Sequence, residues 1–339
     1  MRFIGGKSMI IPYIIELVNA KTVNVKTVSD VFAGSGVVSR NLKSLGYDVI
    51  ANDLMYFSYV LLRGTIGINS TLEFNNLGIS NPIEYLNKLE FNNRDFDISA
   101  CFIYQNYSPI GGRMYFTKEN ALKIDITRMQ IEKWYKDSVI TEDEYFYLIA
   151  CLIESVPFVS NITGVYGAYL KHWDKRALKR ININNIDLII NGSNGKVYNQ
   201  DSNKLIEDIV TDLAYFDPPY NQRQYLPNYH ILETIAKYDN PKIKGVTGLR
   251  DYSEQKSDYC KKDSAYMAFE DLICKVRSKY IILSYNTEGI LSHDEIISIL
   301  ERYGKKETIS FRHINYRRYK NAQTNKNNDL KEVLYFVEK

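Results

Sequence analysis

The chain has 339 residues, of which 45% are hydrophobic and 24% are charged. At about 150 residues per domain this length predicts two domains, and the apolar content is sufficient for a core in each. No apolar run approaches the roughly 20 residues needed to span a bilayer, and the first residues do not resemble a signal peptide, so we expect a cytoplasmic protein with no membrane partner. The net charge of +3 neither requires nor excludes a polyanionic ligand.

Three common kinds of functional site are not indicated. The four cysteines and four histidines are scattered and no C-x-x-C pair occurs, so we expect neither a disulfide framework nor a metal site. Gly5-Gly6-Lys7-Ser8 lacks the earlier glycine of a phosphate-binding P-loop and follows no strand, which excludes an ATPase of that class.

The N-terminal segment alternates between helix and strand patterns around one glycine-rich turn. A helical stretch at residues 9–18 precedes a strand at 27–32, the turn, a helix at about 37–45 and a second strand at 48–51. This order predicts the opening βαβ unit of a doubly wound parallel sheet, and hence an α/β fold.

The middle of the chain has a different pattern. From about residue 56 to residue 186 the stretches are longer and helical, among them 121–136 and 142–154. Afterwards the pattern predicts strands at 186–190, 213–216, 280–284 and 332–337, and helices at 229–238, 265–276 and 292–302. We therefore expect a discontinuous α/β domain formed by residues 1–57 and 186–339, interrupted by a mostly helical insertion at 58–185.

The glycine turn, Asp30-Val31-Phe32-Ala33-Gly34-Ser35-Gly36, follows the first strand and opens a helix. Its glycines allow a ligand to approach backbone N–H groups at the positive end of that helix. The dinucleotide fingerprint has a third small residue, glycine or alanine, three positions after its second glycine. Ser39 stands at that position here, which weakens a nicotinamide interpretation without excluding it. Asp53, at the end of the second strand, is placed to accept hydrogen bonds from ribose hydroxyls. A tight packing turn and a helix N-cap at Asp53 are the structural alternatives.

The sharpest signal is Asp217-Pro218-Pro219-Tyr220, directly after the apolar strand at 213–216. It lies at the carboxyl end of a sheet strand, where open α/β sheets bind ligands. The two prolines fix the backbone and remove two N–H donors, so carbonyls and the Asp217 carboxylate remain as rigid acceptors for an amino group. Tyr220 offers a flat surface on which an extruded base can stack. The alternative is an ordinary surface turn.

Two segments are rich in basic residues. The first contains Lys171, Lys175, Arg176, Lys179 and Arg180. The second, at residues 302–326, contains Arg317 and Arg318 among interleaved aromatic side chains. Both are suited to phosphate contact, and each could instead be a solvated face.

The order of the motifs resembles that of Dam-like adenine-specific DNA methyltransferases of the alpha arrangement. The resemblance rests on Phe3-Ile4-Gly5-Gly6-Lys7, the turn at 30–36, Asp53, the long insertion and Asp217-Pro218-Pro219-Tyr220. Further similarity occurs at 228–235, 283–286, 316–320 and 332–335. Within the insertion, 113–120 and 164–171 resemble members that accompany type IIS restriction enzymes.

This resemblance implies a doubly wound Rossmann-like methyltransferase sheet with an inserted target-recognition domain. It implies S-adenosylmethionine as methyl donor, and beside the donor's methionine end it places Lys7, Phe32, Gly34 and Gly36. Asp30 is then expected near the donor's amino group, Asp53 at its ribose and Asp201 facing its adenine. Asp201 could instead only cap the helix that follows it.

The implied activity is methylation of the exocyclic amino nitrogen of an adenine flipped out of double-stranded DNA, with Asp217, Pro218, Pro219 and Tyr220 as catalytic residues. We expect a monomer that forms the modification half of a restriction-modification system, beside a separate restriction endonuclease or a second methyltransferase. Two alternatives remain open. The chain could methylate another amine, in cytosine, RNA or protein, or it could be a non-catalytic DNA-binding module with a relic donor pocket.

Overall fold

The computed structural model of the chain describes residues 6–315 and 331–339. Arg317, Arg318 and the start of the first motif, residues 3–5, lie outside the described residues. The described chain divides into two compact units. The helical unit comprises Met55–Ile190 and Tyr225–Gln255. The sheet unit comprises 6–54, Asn191–Gln224, 256–315 and 331–339.

Helices and strands alternate at both ends of the chain, and helices dominate its middle. In chain order the elements are α1 (Ile11–Lys21), β1 (Thr27–Asp30), α2 (Val37–Ser44), β2 (Asp48–Asn52), α3 (Tyr56–Arg63), α4 (Pro82–Lys88), α5 (Phe102–Tyr107), α6 (Lys118–Lys136), α7 (Glu142–Ser155), β3 (Gly195–Tyr198), α8 (Ser202–Asp208), β4 (Thr211–Phe216), α9 (Leu226–Lys237), β5 (Ile243–Lys244), β6 (Leu249–Arg250), α10 (Ala265–Lys275), β7 (Ser278–Asn286), α11 (His293–Tyr303), β8 (Ser310–Asn315) and β9 (Lys331–Glu338). None of the helices in the described ranges combines the length and the apolar character that crossing a membrane requires.

A seven-stranded sheet organises the sheet unit, in the order β3-β2-β1-β4-β7-β9-β8. The first five strands are parallel, whereas β9 runs antiparallel to both β7 and β8. Crossover connections place β1 between β2 and β4, so the strand order reverses direction there, as in doubly wound sheets. The predicted α/β class with a Rossmann-like sheet is confirmed.

Most of the predicted strands are present, and one is wrong. The strands predicted at 27–32, 48–51, 213–216, 280–284 and 332–337 correspond to β1, β2, β4, β7 and β9. Residues 186–190 form no strand and are half-buried or exposed, because the pairing with β2 begins only at Gly195, opposite Val49. The edge strand β8 was not predicted, since its mixture of polar, charged and aromatic residues has no clear strand pattern.

The helical unit contains the predicted helices at 121–136 and 142–154 as α6 and α7. Both begin at a threonine cap. The Thr117 hydroxyl accepts from the Asn120 N–H (3.2 Å), and Thr141 forms a capping box with Glu144. The ten residues from Glu144 to Ile153 are all buried, so α7 packs against neighbours on every side.

The helical unit extends beyond the expected insertion at 58–185, because residues 225–255 belong to it and not to the expected catalytic domain. Glu233 in α9 is fully buried, and its carboxylate accepts from the backbone N–H groups of Tyr56 (3.2 Å) and Phe57 (2.9 Å) at the start of α3. The rings of Phe57 and Tyr229 lie 5.3 Å apart between centroids. These contacts join α9 to α3, which sequence periodicity cannot reveal. The division therefore differs from the expected boundaries.

Candidate active site

The candidate site lies where β1 and β4 end side by side in the sheet unit. Asp30, the last residue of β1, is opposite Tyr215 in the register of the two strands. The glycine turn therefore leaves the sheet beside the loop that begins at Asp217. Although far apart in sequence, the two motifs meet at the edge where doubly wound sheets bind ligands.

The glycine turn is held in a conformation that suits glycine. Gly34 (φ 55°) and Gly36 (φ 76°) both occupy the left-handed region, where a side chain would be strained. The Gly34 N–H donates to the Asp53 carboxylate (2.8 Å). The turn and the carboxylate that follows β2 therefore fix each other.

A buried asparagine that was assigned no role supports this turn. Asn52 donates through its side-chain amide to the Val31 carbonyl (3.1 Å) and the Gln200 carbonyl (3.0 Å), and it accepts from the Gln200 N–H (3.1 Å). It thereby connects the end of β1 to the loop that carries Asp201. Asp201 itself caps α8, because its carboxylate accepts from the N–H groups of Asn203 (3.0 Å) and Lys204 (3.2 Å). The structural alternative for Asp201 is therefore present, and its role towards the donor's adenine stays a prediction.

Asp30 is a buried carboxylate with an incomplete set of partners. One oxygen accepts from the Ser39 hydroxyl (2.7 Å), whereas Oδ1 has no hydrogen-bond partner among the described residues. Burial raises the pKa of Asp30 to about 7, which the Ser39 hydrogen bond opposes and the charges of Asp217 and Asp53 reinforce. An orphaned acceptor of this kind is costly in a folded protein and favours a ligand that donates.

Lys7 joins the Asp217 loop to the last strand of the sheet. Its ammonium lies 3.0 Å from Asp217 Oδ1 and also pairs with Glu332 Oε1, which accepts from the Ser284 hydroxyl (2.7 Å). Lys7 and Glu332 are only 5% and 2% exposed. The resemblance placed Lys7 beside the donor, and the structure places its ammonium between two carboxylates. Glu332 was assigned no role, although a charged residue directly before the apolar run of β9 is the signal that could have identified it.

The charges of this cluster perturb one another. Burial raises the pKa of Asp217 to about 7; Lys7 opposes this rise and Glu332 adds to it. For Lys7, burial lowers the pKa, but Asp217 and Glu332 together outweigh burial and leave the pKa above its usual value. One ammonium is therefore shared by the buried carboxylate of Glu332 and the half-buried carboxylate of Asp217.

The rest of the Asp217 loop is held by its neighbours. Pro218 is buried, and Pro219 and Tyr220 are half-buried. The Tyr220 carbonyl accepts from the Ile290 N–H (2.9 Å), and its ring meets Tyr285 edge-on at 6.1 Å between centroids. An ordinary surface turn would not be anchored in this way.

Phe32, after β1, is half-buried and packs edge-on against Tyr259 at 5.1 Å between ring centroids.

The basic cluster lies in the helical unit. Arg176 pairs with Asp174 (3.1 Å) and Arg180 pairs with Glu90, so both guanidinium groups already have acidic partners. By contrast, the lysines of the cluster are exposed and have no carboxylate partner in the described part of the chain: Lys171, Lys175 and Lys179. These three lysines are the available cations.

The sheet-unit site suits ligands that donate N–H groups or carry positive charge. Among the described residues, its acidic groups Asp30, Asp53, Asp217 and Glu332 outnumber the one ammonium, that of Lys7. No group of three or more His, Cys, Asp and Glu side chains is arranged as metal ligands within residues 6–315 and 331–339.

Comparison with known proteins adds an independent observation. The family model of the D12 class N6 adenine-specific DNA methyltransferases matches residues 3–299. The chain is 46% identical to the Type II methyltransferase M.FokI of Planomicrobium okeanokoites, over 100% of the chain and 53% of that relative. It is 41% identical to the Modification methylase StsI of Streptococcus sanguinis, over 100% of the chain and 52% of that relative.

A third relative is matched end to end. The Type II methyltransferase M.NlaIII of Neisseria lactamica is 40% identical over 100% of the chain and 99% of its own length. The chain thus spans about half the length of the first two relatives and nearly all of the third.

The raised pKa of Asp30 predicts that its ionised carboxylate destabilises the folded state. Its folded value of about 7 exceeds the usual 3.8, so the folded state binds its proton more tightly and loses stability as pH rises between these values. The Asp30→Asn variant should therefore be more stable than the parent at about pH 8, by on the order of a few kcal/mol. Its gain in stability over the parent should be smaller at about pH 5. Urea unfolding followed by circular dichroism measures the difference.

Asp212, at the other end of β4, provides the control. It accepts from the Lys26 N–H (2.8 Å), the Thr27 N–H (2.8 Å) and the Thr27 hydroxyl (2.9 Å). Burial opposes these hydrogen bonds, but they lower the pKa of Asp212, so its ionised form stabilises the fold. Asp212→Asn should destabilise the protein at pH 8. Equal effects of the two substitutions would contradict the argument.

Proposed function

The chain belongs to the D12 class N6 adenine-specific DNA methyltransferase family, and we propose that it transfers a methyl group from S-adenosylmethionine to the exocyclic amino nitrogen of an adenine flipped out of double-stranded DNA. One observation carries the proposal: Asp217, followed by two prolines and Tyr220, lies at the carboxyl end of β4 beside the glycine turn of β1. This combination provides an acceptor for the amine next to a donor pocket.

The residues at the end of β1 fit the methyl donor. S-adenosylmethionine supplies a methyl group on a sulfonium, which is already an activated leaving group. We assign the unpaired Asp30 Oδ1 to the donor's amino group, because that buried oxygen has no hydrogen-bond partner among the described residues. Asp53 is assigned to the ribose and Asp201 to the adenine. Phe32, Gly34 and Gly36 line the methionine end, and Lys7 acts there mainly through its ion pair with Asp217.

Asp217 is assigned to the target amine. The lone pair of an exocyclic amine is delocalised into the ring, so two acceptors that each hold an N–H can turn it towards the methyl group. The Asp217 carboxylate and a carbonyl of the following prolines are such acceptors, and they stabilise the positive charge that develops on nitrogen. A carboxylate with a pKa of about 7 is also suited to accept the released proton. Tyr220 would stack on the extruded base.

The helical unit is assigned to target recognition, with its exposed lysines on DNA phosphates. Relatives of the chain are named type II methyltransferases and modification methylases, which supports a role as the modification half of a restriction-modification system. Its partners would then be cytoplasmic DNA and, in the same system, a restriction endonuclease or a second methyltransferase. We propose that it acts as a monomer.

The first prediction of the proposed function concerns the chemical step. Asp217→Ala removes an acceptor for the amine but no group assigned to the donor, so single-turnover methylation should fall at least about 100-fold while the affinity for S-adenosylmethionine changes little. Mass spectrometry of nucleosides from methylated DNA measures N6-methyladenine, and calorimetry measures donor binding. Asp208→Ala is the control, because Asp208 is an exposed carboxylate at the end of α8.

Three results would contradict the proposal. The parental chain could yield only methylcytosine, which would indicate another target amine. It could bind DNA and the donor without any transfer, as expected for a relic module. The Asp217→Ala variant could methylate at the parental rate, and Asp217 would then not align the amine.

The second prediction concerns the basic cluster. Lys175→Ala combined with Lys179→Ala should weaken binding to all duplexes alike and reduce the slope of log affinity against log salt by about two units, because each lysine is expected to neutralise one phosphate. Titrations at several salt concentrations measure this slope. Lys88→Ala is a control in the same unit, because Lys88 is already paired with Glu84 (2.6 Å). An unchanged slope in the double variant would assign the cluster to a solvated face.

The third prediction concerns recognition. Exchanging Met55–Ile190 together with Tyr225–Gln255 for the equivalent segments of a relative should move methylation to that relative's site, with Asp217 still required. Both segments must be exchanged, because Glu233 in the second binds the start of α3 in the first. Methylation mapping identifies the modified sequence. A folded, active chimera that still modifies the parental site would place recognition outside the helical unit.

A further inference from the structure

Glu332 is a buried acid in a strand that is otherwise mostly apolar. The five residues that follow it in β9, from Val333 to Val337, are all buried and hydrophobic, and Glu332 itself is 2% exposed. Burying a carboxylate is expensive, and apolar replacements of buried ion pairs are often neutral or stabilising. A contribution to folding is therefore a weak explanation for Glu332.

The position of Glu332 is fixed from two sides. Its Oε1 accepts from the Ser284 hydroxyl on the neighbouring strand β7 (2.7 Å) and pairs with the Lys7 ammonium. The backbone of Lys7 is held as well, because its carbonyl accepts from the N–H groups of Ile10 (2.8 Å) and Ile11 (3.2 Å) at the start of α1. A flexible lysine side chain is thus anchored at both ends.

The anchored ammonium acts on Asp217. Lys7 Nζ lies 3.0 Å from Asp217 Oδ1, so one carboxylate oxygen is bound to Lys7. The side chain of Asp217 is 18% exposed, compared with 2% for Glu332, so Asp217 is the accessible end of this chain of contacts. Ser284, Glu332 and Lys7 consequently form a support that ends at the proposed acceptor.

We propose that Glu332 is a positioning residue of the methyl transfer: through Lys7 it fixes the orientation and the charge of Asp217. This inference rests on the proposed function. Misplacing a reacting group by about 1 Å can cost about 100-fold in rate, so a support that touches no substrate can still control the chemical step.

The same contacts predict that replacing Glu332 changes how the methylation rate depends on pH. Among the described residues, the titratable groups that act on Asp217 or are perturbed by it are Lys7, Glu332, Asp30 and Tyr215, and Tyr220 acts on Lys7. Burial raises the pKa of Tyr215 well above its usual value, with Asp217 and Asp30 adding to it, so Tyr215 stays neutral. Glu332 raises the pKa of Asp217, so removing its charge leaves Lys7 to pair with Asp217 alone and lowers that pKa.

The test is Glu332→Gln, which keeps the size of the side chain and removes its charge. Single-turnover methylation at saturating donor and DNA is measured across pH. The plateau rate should fall at least about tenfold, and the midpoint of its rise with pH should move to lower pH. Donor affinity, DNA affinity and fluorescence of 2-aminopurine at the target position should change little, because Glu332 is assigned to none of these steps.

Two further variants separate the support of Asp217 from effects on folding. Ser284→Ala removes one anchor of Glu332 without altering any charge, so it should lower the rate less, and it remains informative if Glu332→Gln does not fold. Glu338→Gln is the matched control on the same strand, since Glu338 pairs with Lys305 at the surface (2.6 Å). It should leave the rate and the pH profile at parental values.

The outcomes separate this inference from the proposed function. A parental rate and pH profile in Glu332→Gln and in Ser284→Ala would overturn the inference. A lower rate with an unshifted pH profile, accompanied by equal losses in melting temperature and in both affinities, would also overturn it and assign Glu332 to folding. Absence of methylation by the parental chain would instead refute the proposed function.

Discussion

The ion pairs of Lys7 with Asp217 and Glu332 are the interaction on which the proposed site depends most. They join three parts of the chain that are far apart in sequence: the segment before α1, the loop after β4, and β9. Because all three groups are largely buried, the two carboxylates depend on Lys7 for a cationic partner, and removing Lys7 would leave both without it. The position of the proposed acceptor is therefore a property of the whole sheet unit and cannot be assigned to the Asp217 loop alone.

The reversed direction of β9 explains how its first residues reach this site. The carboxyl ends of β1, β4 and β7 lie at one edge of the sheet, and β9 starts at that edge because it runs antiparallel to β7. Glu332 consequently lies opposite Asn286, the last residue of β7. If β9 ran parallel to β7, its carboxyl end would lie at this edge and Glu332 would lie at the opposite one.

The sequence predicted the parts of the site that are local in the chain. The glycine turn and the Asp217 loop each follow a strand directly, so a short segment contains the complete signal. Glu332, Asn52 and the membership of residues 225–255 in the helical unit depend on pairings between distant segments, which periodicity does not encode. Strand β3 was misplaced for the same reason, because its register with β2 selects Gly195–Tyr198 over the apolar residues at 186–190.

The two ends of the parallel strands explain why the pKa values of acidic groups shift in opposite directions within the sheet unit. At the edge where β1 and β4 begin, free backbone N–H groups are available, and Asp212 accepts two of them together with a hydroxyl. At the opposite edge the strands end in carbonyls, so acidic groups there depend on other donors. Asp53 has a turn N–H, Asp30 has the Ser39 hydroxyl, and Asp217 has the Lys7 ammonium. Among the described residues acceptors exceed donors at this edge, which suits the cationic methyl donor and the N–H-bearing base of the proposed reaction.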